Sequence, residues 1–177
     1  MGSSELSPHF ALLGFLYLQP MHGYNLHKQM ETHLREVWHI SQSQAYTILK
    51  RIEKEGLVSA LHQEQKKRPA RACFSLTPQG RACFEAWLYR PTPGSARALR
   101  VEFLTRLFFA SQMSEDLAPR LLEEQAAATR ADLLDLSRRM EQIPSSQPYN
   151  RLGIELRARQ LTALLDWMDT CDLNQQH

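Results

Sequence analysis

Two stretches of the chain carry side chains that could do chemistry. In SQSQAYTILKRIEKEGLV, residues 41–58, Ser43, Thr47, Lys50 and Lys54 recur at a spacing that puts them on one side of a helix. Gln44, Tyr46 and Arg51 lie beside them. In KKRPAR, residues 66–71, Lys66, Lys67, Arg68 and Arg71 surround Pro69, four cations in six residues. Ammonium and guanidinium groups neutralise phosphates, and Ser, Thr and Gln can bond base edges, Gln being suited to adenine. Together they suit reading a polyanion. A solvated helix face explains the first stretch equally well, so the surrounding elements have to decide.

Other chemistries find less support. His22, His27, His33 and His39 are five or six residues apart, not at the i, i+4 spacing of a zinc-binding HExxH helix. They read as surface or core histidines. There is no G-x-S-x-G elbow, phosphate-binding P-loop or dinucleotide GxGxxG, and seven glycines are few for a phosphate-cradling enzyme. The expectation is a protein without catalytic residues, bound metal or cofactor. Cys73, Cys83 and Cys171 form no CxxC pair and leave one over, which fits a reducing cytoplasm. Cys83, between Ala82 and Phe84, reads as a small buried residue. Redox activity at Cys73 would require exposure that the sequence does not reveal. Trp38, Trp87 and Trp167 read as packing residues, with stacking on an aromatic ligand as the alternative.

The elements that must position these residues follow from periodicity and punctuation. PHFALLGFLYL, residues 8–18, is nearly all apolar behind a first-turn proline, a short buried helix. MHGY breaks the chain, and residues 24–34 then place Leu26, Met30 and Leu34 on one stripe. The lysine-bearing helix follows. Ser41 and Gln44 form a capping box at its start, and Gly56 supplies its stop. Its apolar stripe is Ala45, Ile48, Leu49 and Ile52. Beyond Gly56, LVSALHQE and ACFSL read as strands joined by the basic turn, and Thr77–Pro78 caps a fourth helix. Three short helices, a two-stranded hairpin and a helix make a winged helix-turn-helix over residues 1–90, with the basic turn at the wing tip. Its third helix is the one that enters a major groove.

RPTPGSAR, residues 90–97, marks the boundary to a mainly helical second domain, 91–177. Leu122, Ala126, Thr129, Leu133, Leu136, Met140 and Ile143 form a seam spaced by four and three. Pro144 ends that helix. A last one, about 151–172, repeats the pattern with Ile154, Leu161, Leu164, Met168 and Cys171. A short connection makes the pair antiparallel. Leu117, Leu121 and Leu134 lie off the seam and ask for a further partner, most simply a second copy. The 177-residue chain has net charge +2, distributed as +4 over residues 1–90 and −2 over 91–177. Any polyanion should therefore meet the first domain. No apolar run reaches the ~20 residues of a membrane span, and the N-terminus lacks a secretory layout.

These stretches resemble the PadR-like transcriptional regulators. LLGFL, HGYNL, QAYTILKRIEKEGLV, the basic wing and FSLTPQG carry the likeness. RPTP, VEFLTRLFF and the helical pair look like the branch whose C-terminal domain is of the virulence-activator type. The resemblance implies a homodimer that binds promoter DNA through a winged helix, often as a repressor. It assigns DNA contact to Gln42, Ser43, Gln44, Tyr46, Thr47, Lys50 and the wing cations; Lys54 joins them from the helix face. Some relatives respond to small aromatic or drug-like compounds, a trait that varies within the family, so an effector stays open. The expectation is a cytoplasmic dimeric regulator bound to a pseudo-palindromic duplex. The alternative is a dimeric helical interaction module whose winged helix meets protein instead of DNA.

Overall fold

Pro8 precedes a helix that is apolar all round, and such a helix belongs in the middle of a core. In the computed structural model this is α1 (His9–Leu18), with Ala11 through Leu16 all buried. The structure describes residues 6–65 and 68–173, with only the backbone described at 62–65 and 68–71. It divides into two units, Met1–Arg90 and Pro91–His177.

In the first unit, β1 (Met21–His22) leads into α2 (Gly23–His33), which buries Leu26 and Met30. After a turn comes α3 (Gln42–Lys54), whose Ala45, Leu49 and Ile52 are completely buried. Gly56, at φ 74°, turns the chain into β2 (Val58–Gln65), which pairs antiparallel with β3 (Arg68–Leu76). Thr77 caps α4 (Pro78–Leu88), which covers the core with Phe84, Trp87 and Leu88. Phe10 stacks on Trp87 with ring centroids 4.6 Å apart. Side chains such as Leu49 and Phe84 each contribute about 1.5–3 kcal/mol on burial, which fixes how α3 is turned. The architecture is a winged helix-turn-helix.

The expected two-stranded hairpin has a third strand. The sheet order is β1-β3-β2, with Met21 opposite Phe74 and His22 opposite Cys73. A two-residue strand has no periodicity to read. The free edge of β3 recruits it, and this covers the edge.

The second unit begins with a continuous helical stretch: α5 (Ala96–Ala98), a π-helical segment (Leu99–Phe103) and α6 (Leu104–Met113). Two long helices follow, α7 (Leu117–Gln142) and α8 (Pro148–Thr170). They run antiparallel: Arg130 Nη2 donates to Asp169 Oδ1 at 2.5 Å, and Arg151 Nη1 donates to the Ile143 carbonyl at 3.0 Å. The α7 seam is buried at Ala126, Thr129 and Leu136, and α8 turns Ile154, Leu161 and Met168 inward. Along another side of α8, Tyr149, Leu152, Leu156 and Trp167 are exposed, as is Leu134 of α7. Among the described residues, no helix is long and apolar enough to cross a membrane.

Candidate nucleic-acid interface

The capping box expected at α3 is present in both directions. Ser41 Oγ accepts from the Gln44 N–H at 3.2 Å, and Gln44 Oε1 accepts from the Ser41 N–H at 2.8 Å. The box fixes where the helix begins and which residues occupy its first turn. Because the opposite stripe is locked in the core, Gln42, Ser43, Gln44, Thr47, Lys50 and Lys54 all emerge on exposed surface.

The structure distinguishes among these residues. Gln44 commits its carbonyl oxygen to the cap, leaving the amide nitrogen as its outward donor. Thr47 Oγ1 donates to the Ser43 carbonyl at 2.9 Å, so outward it serves as an acceptor. Lys50 and Lys54, one turn apart, take part in no ion pair among the described residues. Arg51 differs: its Nη2 donates to Ser7 Oγ at 3.3 Å and its Nε lies 3.8 Å from Glu55.

Tyr46 is half-buried, and its ring lies against Gly23 at the start of α2. A Cβ on Gly23 would sit 2.8 Å from Tyr46 Cε1 and 3.1 Å from its hydroxyl oxygen. The glycine in HGY therefore makes room for the ring and brings the phenol to the N-terminus of α2. His22, at the cap position, makes no side-chain cap bond there; its Nδ1 pairs with the Ala72 carbonyl at 3.2 Å. His27 Nε2 lies 3.0 Å from the Ile40 carbonyl and ties the turn between α2 and α3 back onto α2.

Of the wing cations, Arg68 and Arg71 lie on β3, opposite Gln65 and Gln63. Their side chains, and Lys66 and Lys67 altogether, lie outside the described residues.

No group of three or more His, Cys, Asp or Glu side chains that could hold a metal ion occurs among the described residues. Cys73, Cys83 and Cys171 are each part-buried, Cys83 less deeply than expected. Burial, and then the charge of Glu55, pushes the Cys83 thiol up; burial and Asp172 do the same at Cys171. Both changes disfavour the reactive thiolate.

Two features of the second unit escaped the sequence reading. One is an apolar cavity of about 220 Å³ lined by Leu99, Arg100, Phe103, Leu104, Leu164, Trp167 and Met168. Its only forewarning was Trp167. The other is a buried polar cluster of Thr92, Glu102, Arg106 and Gln125. The i, i+4 spacing of Glu102 and Arg106 hinted at it, but VEFLTRLFF reads as apolar.

Residues 12–86 match the transcriptional regulator PadR-like family, and residues 99–173 match the virulence activator alpha C-terminal family. The negative transcriptional regulator PadR of Bacillus subtilis (strain 168) is 27% identical over 137 residues, covering 77% of this chain and 75% of the relative. Among solved structures, Bacillus subtilis PadR in complex with operator DNA aligns over 96% of this chain and 97% of its own, at 22% identity and TM-score 0.48. The same protein in complex with p-coumaric acid aligns over 92% and 95%, at 23% identity and TM-score 0.41. The two family matches fall within the two structural units and between them span most of the chain. The first unit thus carries a match to the PadR-like family of transcriptional regulators, and the second a match to the virulence activator alpha C-terminal family.

Proposed function

We propose that the chain acts as a homodimer that binds a pseudo-palindromic duplex site and represses transcription from it, without catalysis and in the cytoplasm. The observation that carries this reading is the α3 face. Hydrogen-bonding side chains at its N-terminal end and two lysines further along stand on exposed surface, while the opposite face is locked in the core. In a helix-turn-helix, residues at the N-terminal end of the recognition helix meet base edges. Here those are Gln42, Ser43, Gln44 and Thr47. Lys50, Lys54 and the wing cations Lys66, Lys67, Arg68 and Arg71 neutralise phosphates and supply affinity without sequence information. Tyr46 contributes its hydroxyl, beside the first turn of α2, to a backbone phosphate.

The exposed apolar residues of α8 support self-association through the second unit. Two-fold symmetry then makes the site palindromic. Repression is the activity of the curated relative. A small-molecule effector is a further partner, and the cavity beside Trp167 offers it a seat within the second unit.

The test is selection from a pool of random duplexes by purified protein, followed by sequencing of the bound fraction. The expected product is a pseudo-palindrome with half-sites about 34–36 Å apart, one helical turn. No enrichment by a folded dimer, at any salt, would favour an interaction module that contacts protein instead.

A further inference from the structure

Thr92 is placed between Pro91 and Pro93. Proline fixes its own φ and lacks an N–H, and it holds the residue before it extended. The strap formed by residues 91–93 is therefore stiff before it meets anything. It is also gripped. Thr92 is only 4% exposed, and two helices take up its polar atoms. Its N–H donates to Gln125 Oε1 at 3.1 Å, and its carbonyl accepts from Gln125 Nε2 at 3.3 Å. Its hydroxyl accepts from Arg106 Nη1 at 2.7 Å, and Arg106 Nη2 in turn donates to Glu102 one turn earlier. Arg106, Glu102 and Gln125 are no more than 5% exposed.

A buried ion pair is a poor way to gain stability, since apolar side chains of similar volume would pack as well. What this pair does accomplish is to hold one particular residue of the strap. Tyr89 and Arg90 still bond back into the last turn of α4, through the Glu85 and Trp87 carbonyls. Pro91 alone then separates the end of that turn from the grip on Thr92. From Leu88 to Thr92 the chain can span at most ~14 Å. The next hold is at Gly94, whose carbonyl accepts from Arg157 Nη2 at 2.9 Å.

We propose that Gln125, Arg106 and Glu102 are specificity-determining residues: by gripping Thr92 they fix the tether between the winged helix and the helices of the second unit, and so fix which half-site spacing the dimer accepts. The proposal rests on the DNA-binding homodimer reading above. Releasing Thr92 lengthens each tether by two residues, about 7 Å, as much as two base pairs of rise at ~3.4 Å each.

Two variants test this. Gln125→Met removes both contacts to the Thr92 backbone while keeping the side-chain volume. Inserting Gly-Ser between Arg90 and Pro91 lengthens the tether and leaves the cluster intact. Nitroxides at the exposed Ser59 and Ser137, with the cysteines replaced by alanine and excess unlabelled protein present, report the distance between units by pulsed dipolar spectroscopy. Both variants should broaden the distance distribution relative to the unmodified tether. On selected duplexes with two base pairs added between half-sites, the wild type should lose on the order of a hundredfold in affinity and the variants less than about tenfold.

A folded Gln125→Met protein with the wild-type distribution overturns the part assigned to Gln125 in holding the tether. Broadened distributions with an unchanged spacing penalty overturn its role in specificity, and the insertion variant decides that point if Gln125→Met does not fold. If the wild type binds no duplex, the DNA-binding reading fails while the nitroxide distances still decide whether Gln125 holds the tether.

Discussion

Replacing Lys50 and Lys54 together by alanine removes two exposed cations from α3 while leaving its buried stripe and its capping box untouched. Alanine has the highest helix propensity, so the helix itself should persist. Each phosphate neutralised by a protein cation contributes about −0.9 to the slope of log K against log salt. If both lysines meet phosphate, the double variant should show a slope shallower by about 1.8. Between 50 and 200 mM salt, a fourfold change, the wild type's advantage should then shrink by about 12-fold. Fluorescence anisotropy of a labelled duplex pool, titrated at four or five salt concentrations, measures this directly. Because the loss concerns phosphate, it should be the same on selected and random duplexes. A parallel slope, with affinity reduced equally at every salt concentration, would rule out phosphate contact: the lysines would then act through something other than counterion release.

Further outcomes follow from the same geometry. Lys66, Lys67 and Arg68 changed together to alanine should weaken binding to every duplex and flatten the slope by up to about 2.7 in the same assay; an unchanged slope removes the wing from the interface. Gly80→Ala would put a Cβ 1.9 Å from the Leu57 carbonyl oxygen, which already accepts from the Thr77 N–H at 3.1 Å. Relieving that clash should cost about 1–3 kcal/mol and lower the midpoint of thermal unfolding of this unit by roughly 4–8 °C per kcal/mol; an unshifted midpoint would contradict the packing. His9 is pushed below the ordinary histidine range, first by burial and then by Arg51. The unfolded chain therefore binds its proton more readily. Its neutral form should support full stability above about pH 6.5, with loss as the pH falls toward the lowered folded value. Denaturant titrations from pH 7.5 to 5 should show that loss, and His9→Gln should reduce it.

Legibility from sequence differed between the two units for physical reasons. Ser41, Gln44 and Gly56 act locally, through bonds to backbone three or four residues away, so their types and spacing announced the limits of α3. Thr77 is similar, capping Gly80 at 3.0 Å, although its second role, donating to the Gly56 carbonyl at 2.7 Å, depends on the fold. The strand Met21–His22 exists only because the β3 edge is there to pair with it. Gln125 lies 33 residues from Thr92, and nothing along α7 marks it as the partner of a proline-flanked threonine. The outward face of α3 could be read because its complement, the buried stripe, has a strict period. That Tyr46 leans on Gly23 could not, since the contact joins two helices.

In the proposed function the outward N-terminal face of α3 reads sequence. The most direct measurement is a comparison of the consensus selected from random duplexes by the wild type with that selected by the variant Gln42→Ala, Ser43→Ala. These two residues stand clear of the core, and neither side chain supplies the capping box. The variant should still bind duplex with the wild-type salt slope and half-site spacing, but lose preference at one or two positions in each half-site, about 1–3 kcal/mol per position. An unchanged consensus, with affinity lower by the same factor on every sequence, would contradict it.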